Sequence, residues 1–571
     1  MIKCIYLILT IIFAIKSSLE EPKNEKELII KEYVFKNNSI ELEQDFFITQ
    51  ISWTKKEDYK LNYLLGVFEG SNEKSFMDGI PIAIIKDQKK FSEINYIDIN
   101  AVMHFKHIRY VPPNKNNTDI SPIKIYGYHL FKNNKESQMN SSERYYQTTN
   151  LPLLVIHTVN STEPNEKNDT NCSITLINEG KIEIKDNAGI KVRGRSTRKY
   201  SPKKPYRIKF FNKQKILNFT GYEKKWTLIA NYYDGSLLRN SLAYKISELM
   251  EFKYTPRCTP IDVIVNGIFS GNYYICDKIE VGENRINITK MEKTDIDEPN
   301  ISGGYLLKID ALSEVGASPN NFRTNKGVKG TILYPEEGEA TKEQLIYIKI
   351  QLNKLEQEIY DGNLDSVDLD TYSKFFLVEE FCGDIDHVWS SFYFTKERND
   401  EKFYFGPVWD FDIAFDNDER LILTNNKPNF CLFYGDSAGT AKQLIQKLIE
   451  NKKVMEHIKK TWEKLCDTVL NENVLIDYLE EEKMKLKESS ELNDLKWNNY
   501  LLEEEEHKKK RSFGIKKEYF EESVKVVINY VKNRFESLTK LINEALSSKP
   551  KSPYPNYEKK SDRGYSYINN I

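Results

Sequence analysis

The sequence predicts an α+β chain in which a β-sandwich precedes a larger mixed region that ends in helices. Three observations carry this. Short β-branched and aromatic runs separated by Gly, Asn and Asp turns fill residues 21–131. Strand and helix signals alternate from about residue 189, and 440–546 combines apolar residues at helical spacing with a high density of Glu and Lys. At roughly 150 residues per domain, 571 residues allow two to four domains, and 40% hydrophobic with 12% aromatic residues is enough for real cores. Collagen-like, coiled-coil and fully disordered classes are excluded. The 83 basic and 85 acidic residues nearly cancel, so no global field points to nucleic acid or an anionic membrane.

The first element is an address. Lys3 precedes an almost unbroken apolar run at 4–15, and Ser17-Ser18 offers small residues for cleavage before Glu20-Glu21, the pattern of a signal peptide over 1–18. The run is too short to span a bilayer comfortably, so the expectation is a secreted, extracellular or cell-surface protein without a membrane span. Of seven cysteines, Cys4 leaves with the leader, and Cys172, Cys258, Cys276, Cys382, Cys431 and Cys466 remain. Their spacing allows disulfides but fixes no pairing. N-glycosylation patterns occur at Asn37, Asn116, Asn140, Asn160, Asn168, Asn171, Asn218, Asn287 and Asn300, all ahead of the acidic segments described below.

The second element, 21–131, has strand runs at 46–51, 64–68 and 82–85 with turn signals at the intervals of a sandwich. It holds no acid pair, His cluster or Gly-rich phosphate loop, which suits a binding module. Its runs LLGVFEGSNEKSF (64–76), FKHIRYVPPN (105–114) and IKIYGYHLF (123–131) are similar to strands of discoidin-type, galactose-binding-like jelly rolls. That resemblance implies glycan or cell-surface attachment. A polar linker at 132–150 follows.

The third element is a domain over 151–546, opened by the buried-strand run LPLLVIHTV. Strands are expected at 191–193, 206–211, 226–230, 261–265, 272–276 and 305–309. A helix is expected over 237–250, where Leu238, Leu242, Ile246 and Leu249 share one face. The part from about 440 is helical. Within it, the charge runs at 503–506 and 508–511 read as a solvated helix face. The tail, 547–571, lacks an apolar stretch and reads as disordered, with no anchor signal.

Two kinds of charged segment in this domain bear on chemistry. VRGRSTRKYSPKKPYRIKF (192–210) concentrates Arg193, Arg195, Arg198, Lys203, Lys204, Arg207 and Lys209 around two strands. It reads either as an exposed basic strand or as a clamp for a polyphosphate, with bidentate Arg and point-charge Lys. In WTLIANYYDGSLLRNSLAYKISELM, Asp234 and Ser236 can cap the helix, and Arg239 can turn inward. The acidic counterpart is FCGDIDHVWSSFYFTKERNDEKFYFGPVWDFDIAF, with Asp384 and Asp386 ahead of two aromatic strands and Asp410 and Asp412 behind them. Antiparallel pairing of 390–394 with 402–405 returns the chain to its starting end and brings Asp386 near Asp410. Crowding carboxylates beside Trp409 and Phe411 is costly without a cation or proton, which favours metal binding or catalysis.

The order RGRST, KKPYRIKF, DGSLLRNSLA, VNGIFSGNYYICDKI, GGYLL, DIDHVWSSFYF and GPVWDFDIAF resembles the spore coat protein H (CotH) kinase family over about 150–545. The resemblance implies an atypical protein-kinase-like bilobal fold with a helical C-terminal part. It further implies ATP with Mg2+ or Mn2+, and phosphate transfer to Ser or Thr of secreted or cell-surface protein substrates. By the same resemblance, Asp386 is the catalytic aspartate that takes the acceptor proton, Asp410 binds metal, and Lys204 meets the ATP phosphates with Arg193 nearby. Lys209, at the end of a strand like that of the usual kinase lysine, is the competing choice. The chain departs from the family pattern at Asp384, Trp389, Asp277 and Lys308, and lacks a G-x-G-x-x-G loop and an H-R-D. Two other readings remain: a non-catalytic surface or adhesion protein binding glycan through its first module, and a glycosidase using Asp386 and Asp410, which the Lys/Arg cluster disfavours.

Overall fold

The computed structural model describes residues 29–33, 39–43, 46–54, 63–87, 93–99, 104–113, 120, 122–129, 144–384, 386–417, 439–503 and 519–547. The expected leader at 1–18, the expected linker as far as 143, the charge run at 508–511 and the residues beyond 547 lie outside them. So do Asn37, Asn116, Asn140, Cys4 and Cys431. The chain divides at Tyr146/Gln147, with Gly267–Phe269 counted with the first unit.

Alternating β-branched and aromatic residues build eight strands in the first unit: β1 (Ile29–Tyr33), β2 (Ser39–Glu41), β3 (Phe46–Thr54), β4 (Val67–Ser71), β5 (Ile80–Ile84), β6 (Ile94–Asp98), β7 (His107–Val111) and β8 (Ile123–His129). They form two antiparallel sheets, β1-β8-β3-β6 and β2-β7-β4-β5. Trp53 on one sheet meets Phe68 on the other with ring centroids 6.0 Å apart, which gives the sandwich-like core expected of 21–131. Glu69, fully buried, pairs with Arg109, whose Nε donates to Glu69 Oε2 at 2.7 Å.

The second unit begins at Gln147, and near its start Thr149 Oγ1 donates to the buried Asp262 at 2.7 Å. Seven strands close into a barrel in the order β10-β11-β12-β13-β15-β14-β9. They are β9 (Leu153–Thr158), β10 (Thr170–Asn178), β11 (Lys181–Val192), β12 (Tyr206–Gln214), β13 (Glu223–Ile229), β14 (Cys258–Val265) and β15 (Ile268–Asp277). Only the closing β14/β9 pair is parallel among the ladders described. Alternate residues such as Ile208, Phe210, Trp226 and Leu228 fill the interior, as period-two strands require. Cys258 and Cys276 form a disulfide between β14 and β15, while Cys172, Cys382 and Cys466 are free.

The second layer is an antiparallel sheet of β16 (Tyr305–Ile309), β17 (Asn321–Arg323), β18 (Lys329–Tyr334), β19 (Phe392–Lys396) and β20 (Phe403–Phe405), in the order β17-β18-β16-β19-β20. The helices are α1 (Ser196–Tyr200), α2 (Arg239–Leu249), α3 (Lys342–Asp361), α4 (Leu369–Cys382), α5 (Lys442–Glu450), α6 (Lys452–Thr468), α7 (Glu472–Glu503) and α8 (Phe520–Ser547). α3 starts with a capping box of Thr341 and Gln344 and stops at Gly362 in the left-handed region. One continuous apolar cluster joins α2 to α8 and this sheet. The observed class is mixed α and β, with antiparallel sheets first and helices last. Among the described residues no helix is long and apolar enough to cross a membrane. The described acceptor asparagines, Asn160, Asn168, Asn171, Asn218, Asn287 and Asn300, are all exposed.

Candidate active site

Helix α4 delivers the first acid pair. Asp368 caps its start by accepting from Thr371 N at 2.9 Å, and Gly383 ends it at φ 66°, a left-handed turn that glycine adopts without strain. The turn projects Asp384 and Asp386 beyond the helix. Asp384 is buried, and its Oδ1 accepts from the Asp386 amide at 3.1 Å. The backbone of Asp386 is fixed from the other side by the amides of Trp389 and Ser390, which donate to its carbonyl at 2.8 and 2.9 Å. Asp386 itself is half-buried.

The hairpin carries the second pair. β19 and β20 pair antiparallel with Phe394 opposite Phe405, and Phe392 stacks on Phe375 of α4 at 4.5 Å. The chain then turns through Trp409 to Asp410, whose carboxylate is exposed and accepts from Ser391 Oγ at 3.1 Å. Asp410 sits at φ 81°, a conformation that costs a non-glycine residue energy and that clusters at functional sites. The segment after it is held by α2: the Phe411 amide donates to Asn240 Oδ1 at 2.9 Å, and Arg239 Nε donates to the Ala414 carbonyl at 3.0 Å. Arg239 does turn inward, fully buried against Asp234. The motif around Asp234 and Ser236 therefore closes a turn and anchors the acidic segment as well as preceding a helix.

Electrostatics show that the two pairs share one neighbourhood. Burial, then Asp386, Asp410 and Asp412, push the Asp384 carboxyl well above the usual carboxylate range. Burial, then Asp410, Asp234 and Asp386, do the same to Asp412. Glu379, one turn back on α4, is raised by burial and by Asp384. Burial pulls the His387 imidazole down to about 4, so it is neutral at pH 7.

The basic side of the site differs from the distribution of cations expected along 192–210. Arg193 leaves β11 and lies over the Trp409 ring at 5.9 Å. Arg193 and Asp410 act with opposite sign on the same two phenols, Tyr244 and Tyr393. No carboxylate among the described residues pairs with its guanidinium. Arg195 pairs with Asp310 at 2.8 Å. Lys308, opposite Tyr393 in the β16/β19 ladder, reaches Asp310 at 3.4 Å and also bears on Tyr393. Asp386 and Asp410 thus meet at Asp384, Arg193 and Asp410 meet at Tyr244 and Tyr393, and Lys308 and Asp310, to which no role was expected, also bear on Tyr393. The only sequence signal for Lys308 is a cation directly after GGYLL on a buried strand.

The two lysines lie elsewhere. The Lys204 ammonium donates to the carbonyls of Arg198 and Ser201 at 2.8 and 2.7 Å, closing its own loop. Lys209 is on the outward face of β12 opposite Lys225, and its field falls on Glu336. Strand alternation explains Lys209, since Ile208 and Phe210 face the barrel core and Lys209 must face away.

The site thus combines a closed barrel, a sheet-and-helix layer, two acid pairs, and an arginine with no carboxylate partner among the described residues. The profile of the family described as "CotH kinase protein" matches residues 190–538, and the chain belongs to this family. Among solved structures, the chain is similar to "CBM62 from Clostridium thermocellum Xyl5A" at 23% identity and a TM-score of 0.14, covering 15% of this chain and 62% of that one. No curated protein matches the chain.

Proposed function

We propose that the chain is a secreted, ATP-dependent phosphotransferase with a kinase-like bilobal domain, acting on Ser or Thr hydroxyls of secreted or cell-surface proteins. The observation that carries this reading is that Asp386 and Asp410, from the two sides of the β19/β20 hairpin, both act on Asp384, with Arg193 over Trp409 and without a carboxylate partner among the described residues. Acids close to one another and a cation with no carboxylate partner among the described residues are what a metal and a polyphosphate would complete.

The donors fit a hard divalent cation. Among the described residues no three His, Cys, Asp or Glu side chains form a ready-made cage, and Mg2+ characteristically uses one or two carboxylates together with substrate phosphates. Asp410, with Asp412 beside it, would hold Mg2+ or Mn2+, which when bound neutralises charge on the phosphates. Arg193 and Lys308 would meet the phosphate oxygens, and Lys204 and Lys209 remain proposals for the same contact. Asp386 would orient the acceptor hydroxyl and take its proton as the oxygen bonds to the γ-phosphorus. The bond from that phosphorus to the bridging oxygen breaks, and ADP leaves. The N-terminal pair of sheets would act as a galactose-binding-like jelly roll that attaches to glycan.

The test is transfer of radiolabelled γ-phosphate from ATP to a mixture of secreted proteins, with Mg2+ or Mn2+. Asp386→Ala is expected to lower kcat by about 10²–10⁴-fold. Full activity in both Asp386→Ala and Asp410→Ala would overturn the reading, and glycan binding without any transfer would favour the non-catalytic alternative.

A further inference from the structure

We propose that helix α8 positions the catalytic turn: Tyr530 and Arg534 hold the end of α4 and so set where Asp386 stands relative to Asp410. This rests on the phosphotransferase reading for its activity test, but the geometry is independent of it. The last carbonyls of a helix have no intrahelical partner and normally turn to water or to a local cap. Here they are met from far along the chain. Tyr530 Oη donates to the Phe381 carbonyl at 2.8 Å, and Arg534 donates to the Phe381 carbonyl at 3.3 Å, to the Glu380 carbonyl, and to Glu380 Oε1 at 3.0 Å. The next carbonyl, of Cys382, accepts from the Phe415 amide at 2.7 Å.

Arg534 is 2% exposed, so its charge is committed to this helix end, where a cation suits the dipole. Tyr530 also reaches the turn itself. A Cβ on Gly383 would lie 2.7 Å from its hydroxyl, so α8 packs directly on the glycine that redirects the chain toward Asp384 and Asp386. The Tyr530 ring meets Phe415 edge-on at 5.6 Å. One side chain therefore touches both acid-bearing segments, 381–386 and 410–416, which are otherwise tied by the Phe415 amide. Tyr530 and Arg534 are positioning residues; neither is placed to touch substrate.

The experiment uses the full chain with Tyr530→Phe, which removes one hydroxyl, and Thr539→Ala as control. Thr539 lies nine residues further along the same helix, where it accepts from Trp462 Nε1 at 2.9 Å and makes no hydrogen bond to the end of α4 among the described residues. Misplacement of a reacting group costs rate steeply, so Tyr530→Phe is expected to lower kcat about tenfold with KM for ATP within about twofold, and Thr539→Ala to leave kcat unchanged. Equal kcat in Tyr530→Phe and wild type overturns the proposal. If wild type transfers no phosphate, the phosphotransferase reading fails on its own, and hydrogen exchange decides the positioning: amides 383–386 are expected to exchange faster in Tyr530→Phe but not in Thr539→Ala. Unchanged protection there overturns the proposal whatever the activity.

Discussion

Replacing Asp410 by Asn removes one negative charge and little else, and the carboxylates around it set the sign of the effect. The residue keeps its volume, its left-handed backbone at φ 81° is tolerated by Asn as by Asp, and Asn Oδ1 can still accept from Ser391 Oγ. What is lost is a charge that helps hold Asp384 and Asp412 above the usual carboxylate range. Because Asp410 is exposed, solvent screening holds the net gain to about 1 kcal/mol or less. That corresponds to roughly 2 °C in Tm for a unit of this size. The sign follows from linkage. Carboxyls raised in the fold give stability that is present below their unfolded value of about 3.9 and lost as pH rises through their folded values. The gain from Asp410→Asn should therefore be present at pH 7 and shrink as pH falls toward 4. Calorimetry at the two pH values reads it, and the same variant should lose at least about 10²-fold in phosphotransfer. A variant that is destabilised at pH 7 yet fully active would refute the reasoning, because Asp410 would then be a structural residue.

Three other perturbations test the frame around the site. Arg239→Met strands the buried Asp234 carboxylate and removes the anchor on Ala414; urea denaturation should show a loss of about 3–5 kcal/mol, partly recovered on adding Asp234→Asn, and a loss under 1 kcal/mol would contradict the burial argument. Cys276→Ser opens a disulfide spanning 18 residues and should cost about 3 kcal/mol, with thiol titration of the native chain finding Cys258 and Cys276 blocked until reduction. Lys203 is fully buried, its amine shared between the Asn272 carbonyl and Asn493 Oδ1, and burial pulls it down to about 7. Between pH 7 and the unfolded value near 10.4 the unfolded chain binds the extra proton, so this group makes stability rise with pH. Lys203→Met should flatten the rise in urea midpoint from pH 7 to 9, and an unchanged slope would contradict it.

Local features of the fold were readable where side-chain period and turn chemistry agree. Alternating aromatics at 390–394 and 402–405 announce the hairpin, whose strands run over 392–396 and 403–405, and its antiparallel return explains why Asp386 and Asp410 share a neighbourhood. The helix face of Leu238, Leu242 and Ile246 is likewise buried as its spacing requires. Long-range pairing was not readable. Nothing in the local sequence marks β14 as the parallel partner of β9 that closes the barrel, or Arg534 as the cap of a helix about 150 residues earlier. The basic run at 192–210 illustrates the same limit. Its residues look equivalent in sequence, yet the loop after β11 sends Arg193 over Trp409, ties Lys204 to its own carbonyls, and leaves Lys209 on the outer face of the barrel. Charge density says that cations are present; strand alternation and loop closure decide which of them lies over Trp409.

The most direct test of the central claim is a crystal of the chain grown with Mn2+ and a non-hydrolysable ATP analogue, read by manganese anomalous scattering. The expected result is a peak within coordination distance, about 2.1–2.3 Å, of the Asp410 carboxylate and of analogue phosphate oxygens, with Arg193 on the phosphates and Asp386 facing the γ-phosphate. An analogue bound away from the β19/β20 hairpin, or manganese with no contact to Asp410, would contradict it.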